Sequence, residues 1–111
     1  MTCNLERNMM SPPPRDPIAE FQRVRIEAQQ IRADSIRSRI MAARTFCAIA
    51  ESEARRIPER ARQTLTKIRR SIDEIEGHIL EPNHISPTSA DELRDLLSQL
   101  RARADSVERS L

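Results

Sequence analysis

Small and apolar residues recur every three or four positions between residues 26 and 57, the spacing of a helix with one buried face. The members of this row are Ile26, Gln29, Ala33, Ile36, Ile40, Ala43, Cys47, Ala50, Ala54 and Ile57, of which only Gln29 is strongly polar. The residues that widen the stripe on one side are Phe21, Val24, Ala28, Ile31, Phe46 and Ile49. A stripe this wide exceeds the seam of a two-stranded coiled coil and predicts a helix of a bundle.

The start of this helix is indicated by Asp16 and Pro17. An acidic N-cap followed by proline at the first helical position is a common helix start, and Glu20 places negative charge near the positive end of the helix dipole. Residues 1–15, which include a run of three prolines, are expected to be disordered.

Pro58 interrupts the stretch, yet the apolar spacing continues beyond it without resetting. The row goes on as Ala61, Leu65, Ile68, Ile72, Ile75 and Ile79, with one additional step of four. The flanking residues include no Gly, Asn, Asp or Ser that would favour a chain reversal. We therefore expect one helix over about 17–80 that is kinked at Pro58. The alternative is a break, with Pro58 beginning a new helix.

A loop is predicted where Glu81 precedes Pro82, because the residue before a proline is pushed out of helical geometry. Ser89 and Glu92 have the spacing of a capping box, which predicts a further helix over about 89–110. Its apolar row is Leu93, Leu97, Leu100, Ala104, Val107 and Leu111. Folding it back antiparallel sets Arg62 near Glu108 and Glu76 near Arg94, which predicts a helical hairpin.

The fold class expected from these patterns is all-α, of the coiled-coil or helical-bundle type. Residues 16–111 are predicted to form a single elongated helical domain, in which 16–57 is an oligomerisation helix and 58–111 the helical hairpin. Two Phe and no Trp or Tyr make a thin core for a chain of 111 residues, so the first helix is expected to need another chain.

Self-association is therefore predicted, with an antiparallel homodimer favoured. A parallel pair on this row sets Arg32 against Arg37, whereas an antiparallel pair sets Arg37 against Glu51. The predicted interface is Ile26, Ala33, Ile36, Ile40, Ala43, Phe46, Cys47, Ala50, Ala54 and Ile57. The sequence thus favours an interaction or scaffold protein whose Arg-flanked apolar stripe binds its own copy or a helix of another protein.

A basic cluster surrounds Pro58 and offers a different function. Its members are Arg55, Arg56, Arg60, Arg62, Lys67, Arg69 and Arg70. Arginines that recur every seven residues could follow a phosphate backbone, so sequence-independent nucleic-acid binding is the alternative function. No aromatic residues interleave with them to stack on bases, and a solvated flank partly neutralised by the acidic last helix is the simpler interpretation.

Catalysis and cofactor binding are not indicated. No nucleophile has a recognisable base nearby and no glycine-rich phosphate loop exists, so we expect no catalytic or cofactor residues. His84 and Glu81 have a Glu-x-x-His spacing, but Pro82 interrupts it, so we predict no metal site. Cys3 and Cys47 are too few for a disulfide framework, and no apolar run has membrane-spanning length, which favours a cytoplasmic protein.

Overall fold

The structure, a computed structural model, describes residues 16–111, in which the chain forms three α-helices and no β-strand. Helix α1 is Pro17–Arg56, α2 is Pro58–Leu80 and α3 is Pro87–Arg109. Each helix packs against the other two. The predicted all-α fold of the helical-bundle type is confirmed. The expected disorder of residues 1–15 lies outside the described residues.

Helix α1 begins as expected. The Asp16 carboxylate accepts a hydrogen bond from the backbone N–H of Ile18 at 3.0 Å, and Pro17 occupies the first turn, where a missing N–H costs nothing. Glu20 lies in the same turn. The helix is 40 residues long, against 23 for each of the others, and Ala33 is its first buried residue. The first part of α1 therefore extends past the closed core.

The chain reverses direction at Ile57. Its backbone angles, φ −140° and ψ 80°, are not helical. Its N–H donates to the Glu53 carbonyl at 2.7 Å and its carbonyl accepts from the Ala61 N–H at 3.2 Å. One residue therefore closes α1 and opens α2, and Pro58 takes the first position of the new helix.

The expected continuous helix over 17–80 is corrected at this point, and the alternative of a break is right. The δ-carbon of Pro58 clashes with a helical Ile57, so the residue before the proline leaves the α region. The turn does not require a glycine, because the φ angle of Ile57 is negative and any residue can adopt it. As a result α2 folds back along α1.

Helices α2 and α3 form the predicted antiparallel hairpin, in a different register. Arg69 contacts Asp105 at 3.0 Å, and Arg101, rather than Arg94, pairs with Glu76. The apolar pattern could not distinguish the two registers, because a shift of seven residues keeps every apolar position on the same face.

Helix α3 begins earlier than the capping box predicts. The N-cap is Ser86, whose hydroxyl accepts from the Ser89 N–H at 3.2 Å, and Pro87 occupies the first turn. Ser89 is thus inside the helix rather than its cap.

The core is a single seam of aliphatic side chains shared by the three helices. Among the described residues no polar or charged side chain is buried in it. Its larger fully buried members are Ile40, Cys47, Ile68, Ile75, Leu93 and Leu100. Because α2 and α3 both cover α1, the core closes within one chain.

The loop between α2 and α3 is held against α1. Asn83 adopts a positive φ of 60°, and its carbonyl accepts from the Gln29 amide at 3.2 Å. The Arg32 guanidinium donates to the carbonyl of His84, and Ile85 inserts into the core with 6% exposure. These contacts fix the end of the bundle opposite to the turn at Ile57.

Candidate interaction surface

Most of the predicted interface is buried inside the chain. Six of its residues lie in the core against α2 and α3, namely Ala33, Ile36, Ile40, Ala43, Cys47 and Ala50. Their assignment to contacts between chains is corrected: the reversal at Ile57 brings α2 over this face of α1. Ala54 is half-buried, and Ile26, Phe46 and Ile57 are exposed.

A second row on α1 has the same three-four spacing and contains no charged residue. It consists of Phe21, Val24, Ala28, Ile31, Ser35, Ser38, Ala42, Thr45, Ile49 and Ser52, and we call it the outer stripe. All ten residues are exposed except Ala28, which is half-buried. Phe21 and Ile31 are 72% and 69% exposed, and Phe46 lies beside the row.

The outer stripe lies on the far side of α1 from the core. At 3.6 residues per turn, it is about 150° around the helix from the buried seam. Both rows repeat every seven residues, so they keep this separation along the helix. Covering the outer stripe therefore does not require α2 or α3 to move.

The two edges of the outer stripe carry opposite charges over residues 20–39. The acidic edge is Glu20, Glu27 and Asp34, and the basic edge is Arg25, Arg32 and Arg39; within each edge the residues are seven apart. Asp34 also binds Arg37 within α1 at 2.8 Å. A helix that docks on this stripe meets acid along one side and arginine along the other.

The buried cysteine is a core residue. Cys47 has no exposed surface and makes no disulfide, and desolvation raises the pKa of its thiol above the ordinary value. A thiol in this position is protonated and shielded. Direct contact between Cys47 and the Cys47 of a second copy is not compatible with this burial.

The basic cluster is divided by the turn. Arg55 and Arg56 end α1, whereas the other five residues of the cluster lie on α2. The arginines spaced seven residues apart, Arg55, Arg62 and Arg69, therefore do not lie along one helix. Arg69 binds two carboxylates of α3, at 3.0 Å to Asp105 and 2.5 Å to Glu108, and the hydrogen bond to Asp105 raises its pKa. Nucleic-acid binding by this cluster stays a prediction.

Further pairing reduces the charge that the cluster offers. Arg60 lies 3.8 Å from Glu53 across the turn, and Arg62 lies 3.5 Å from Glu59. Arg55, Arg56, Lys67 and Arg70 are exposed.

Three potential metal ligands meet at the end of α2. The donor atoms of His78, Glu81 and His84 all lie within 4.8 Å of one another, and Nδ1 of His84 is 3.4 Å from Glu81. Pro82, which was the sequence argument against a metal site at this Glu-x-x-His spacing, does not keep the three side chains apart. Arg32 and Arg39 line the same hollow, and their positive charges oppose a bound cation. The three side chains are thus close enough to be metal ligands, but the nearby arginines make the site electrostatically unfavourable for a cation.

Comparisons with protein-family models, with curated proteins and with solved structures found no match. Within residues 16–111, no helix combines the length and the apolar character that crossing a membrane requires.

Proposed function

We propose that this protein is a non-enzymatic helical interaction protein, in which a three-helix bundle presents the outer stripe of α1 to a helix of another chain. The observation that carries the proposal is the stripe itself, a row of ten uncharged residues on the exposed face of a long helix. It runs from Phe21 to Ser52, about 46 Å at 1.5 Å per residue.

Chance exposure is a poor account of this surface. Exposed apolar residues scattered singly over a protein are ordinary, whereas a continuous exposed patch indicates an interaction site. Here Phe21, Val24, Ile31, Phe46 and Ile49 are 44–72% exposed and lie on or beside one row. Charged residues occupy the two edges over residues 20–39, and none lies in the row itself.

The energetics favour reversible association. Fully burying a large apolar side chain gives roughly 1.5–3 kcal/mol, and because these five side chains are only 44–72% exposed before docking, together they contribute roughly 4–9 kcal/mol. Loss of translational and rotational freedom costs about 4–15 kcal/mol. The net free energy of association is therefore small, because the alanines and serines in the middle of the stripe add little apolar burial. The protein is therefore expected to fold alone and then associate.

Site-specific photo-crosslinking in cells tests this function. A photoreactive phenylalanine analogue replaces Ile31 in the full chain, and the same analogue replaces Gln99, an exposed residue of α3, as the matched control. We expect covalent adducts of defined mass from position 31 and none from position 99. Absence of adducts from position 31, or equal adducts from both positions, would refute the proposal.

A further inference from the structure

We propose that the helix that covers the outer stripe is α1 of a second copy, parallel and in register. This inference rests on the proposed function and names its partner. It is drawn from the order of large and small residues along the stripe and from the order of charges along its edges.

The outer stripe has the heptad spacing of a coiled-coil seam. Phe21, Ala28, Ser35, Ala42 and Ile49 occupy one core position of the heptad, and Val24, Ile31, Ser38, Thr45 and Ser52 the other. In a parallel, in-register pair each residue meets its own copy. Large residues then meet near the two ends, while the small residues between Ser35 and Ala42 let the helices approach closely.

The charged edges favour the parallel orientation. In a parallel coiled coil, the residue before one core position faces a residue five places further along the other helix. Glu27 therefore meets Arg32 of the second copy, and Asp34 meets Arg39. The two-fold axis repeats each pair, so four oppositely charged contacts form. Glu20 and Arg25 have the same spacing.

An antiparallel pair on the same stripe loses this complementarity. In that orientation the basic edge of one α1 faces the basic edge of the other. In the register that overlaps the two stripes most fully, Arg32 meets Arg39 of the second copy, and the two arginines repel each other. The antiparallel dimer expected from the sequence was argued on the other row of α1, which the chain's own α2 and α3 cover.

The contacts within the chain are compatible with this pairing. Arg39 is exposed and has no ion pair or hydrogen bond within residues 16–111. Arg32 donates to the His84 carbonyl through Nε, which leaves its terminal nitrogens for a carboxylate. Nine of the ten stripe residues are exposed and Ala28 is half-buried, so their side chains are accessible to a second α1.

Cysteine cross-linking of the purified full chain tests the orientation. Ala28→Cys and Ala42→Cys are made separately with Cys3→Ser, while Cys47 stays in place because it is buried. These two positions are about 21 Å apart along the helix. A parallel, in-register dimer brings each cysteine to its own copy, so both variants are expected to form disulfide-linked dimers. Gln99→Cys in the same background is the matched control and is expected to stay monomeric.

Charge exchange tests the pairing independently. Asp34→Arg and Arg39→Glu each replace two attractive contacts by two repulsive ones, and each should raise the dimer dissociation constant roughly tenfold. The double variant, and the equimolar mixture of the two single variants, restores opposite charges and should return to within about twofold of the original value. Circular dichroism of dilute samples confirms that each variant keeps its helices.

The outcomes separate this inference from the proposed function. A disulfide from only one of the two alanine positions, or a double variant as weak as the single variants, would overturn the parallel arrangement. A purified chain that remains monomeric at millimolar concentration would overturn the second copy as the partner. In both cases adducts from position 31 in cells would leave the interaction function standing.

Discussion

Two isoleucines on α1 separate the fold from the association surface. Ile40 has no exposed surface and lies in the core, whereas Ile31 is 69% exposed on the outer stripe. Replacing Ile40 by Ala deletes three carbons, worth about 0.8 kcal/mol each, and leaves a cavity. We expect Ile40→Ala to lower the free energy of unfolding by about 3 kcal/mol.

Ile31→Ala is the matched substitution on the same helix. It removes the same atoms from a position already in water, and alanine is the better helix former, so the free energy of unfolding should change by less than about 0.5 kcal/mol. Urea unfolding followed by far-UV circular dichroism at low micromolar concentration measures both effects. Equal losses from the two variants would show that the outer stripe is part of the fold, and would refute the separation.

Four further outcomes are expected. Gly77→Ala should raise the free energy of unfolding by about 0.5–1 kcal/mol, because Gly77 is an exposed helical residue with nothing within 4 Å of an added Cβ. Ser86→Ala should lower the free energy of unfolding in urea by about 1 kcal/mol, because it removes the N-cap of α3. Asp16→Ala should change the free energy of unfolding little, because the first turn of α1, which Asp16 caps, lies beyond the core. Cys47 should react with a thiol reagent only as fast as the chain opens, even as pH rises towards its raised pKa, and rapid labelling of the native protein would contradict its burial. A heparin column should release the protein at low salt because Arg60, Arg62 and Arg69 are already paired with carboxylates; retention at high salt would favour the nucleic-acid alternative.

Much of the fold follows from local signals in the sequence. Asp16 and Pro17 identify the start of α1, and Glu81 before Pro82 identifies the end of α2. These signals are local because they depend on one or two residues and on backbone geometry. The break at Pro58 was only the alternative interpretation, because the apolar spacing continues past it with one additional step of four and a one-residue reversal leaves no trace in composition.

The candidate surface was harder to predict for a related reason. Helix α1 carries two uncharged rows, and the sequence interpretation treated Phe21, Val24 and Ile31 as the margin of a single wide stripe. Only the direction of α2 after Ile57 decides which row is covered within the chain. The signal that could have separated them is the order of charges, with acids such as Glu27 on one side of the second row and arginines such as Arg32 on the other.

Sedimentation velocity over a range of concentrations, applied to the unmodified chain and to Ile31→Asp, shows whether a chain that is already folded associates through the outer stripe. We expect a folded monomer at low micromolar concentration, a reversible shift to twice the chain mass as concentration rises, and a monomer throughout for Ile31→Asp. A chain that unfolds on dilution, or an Ile31→Asp variant that dimerises as well as the original, would contradict this expectation.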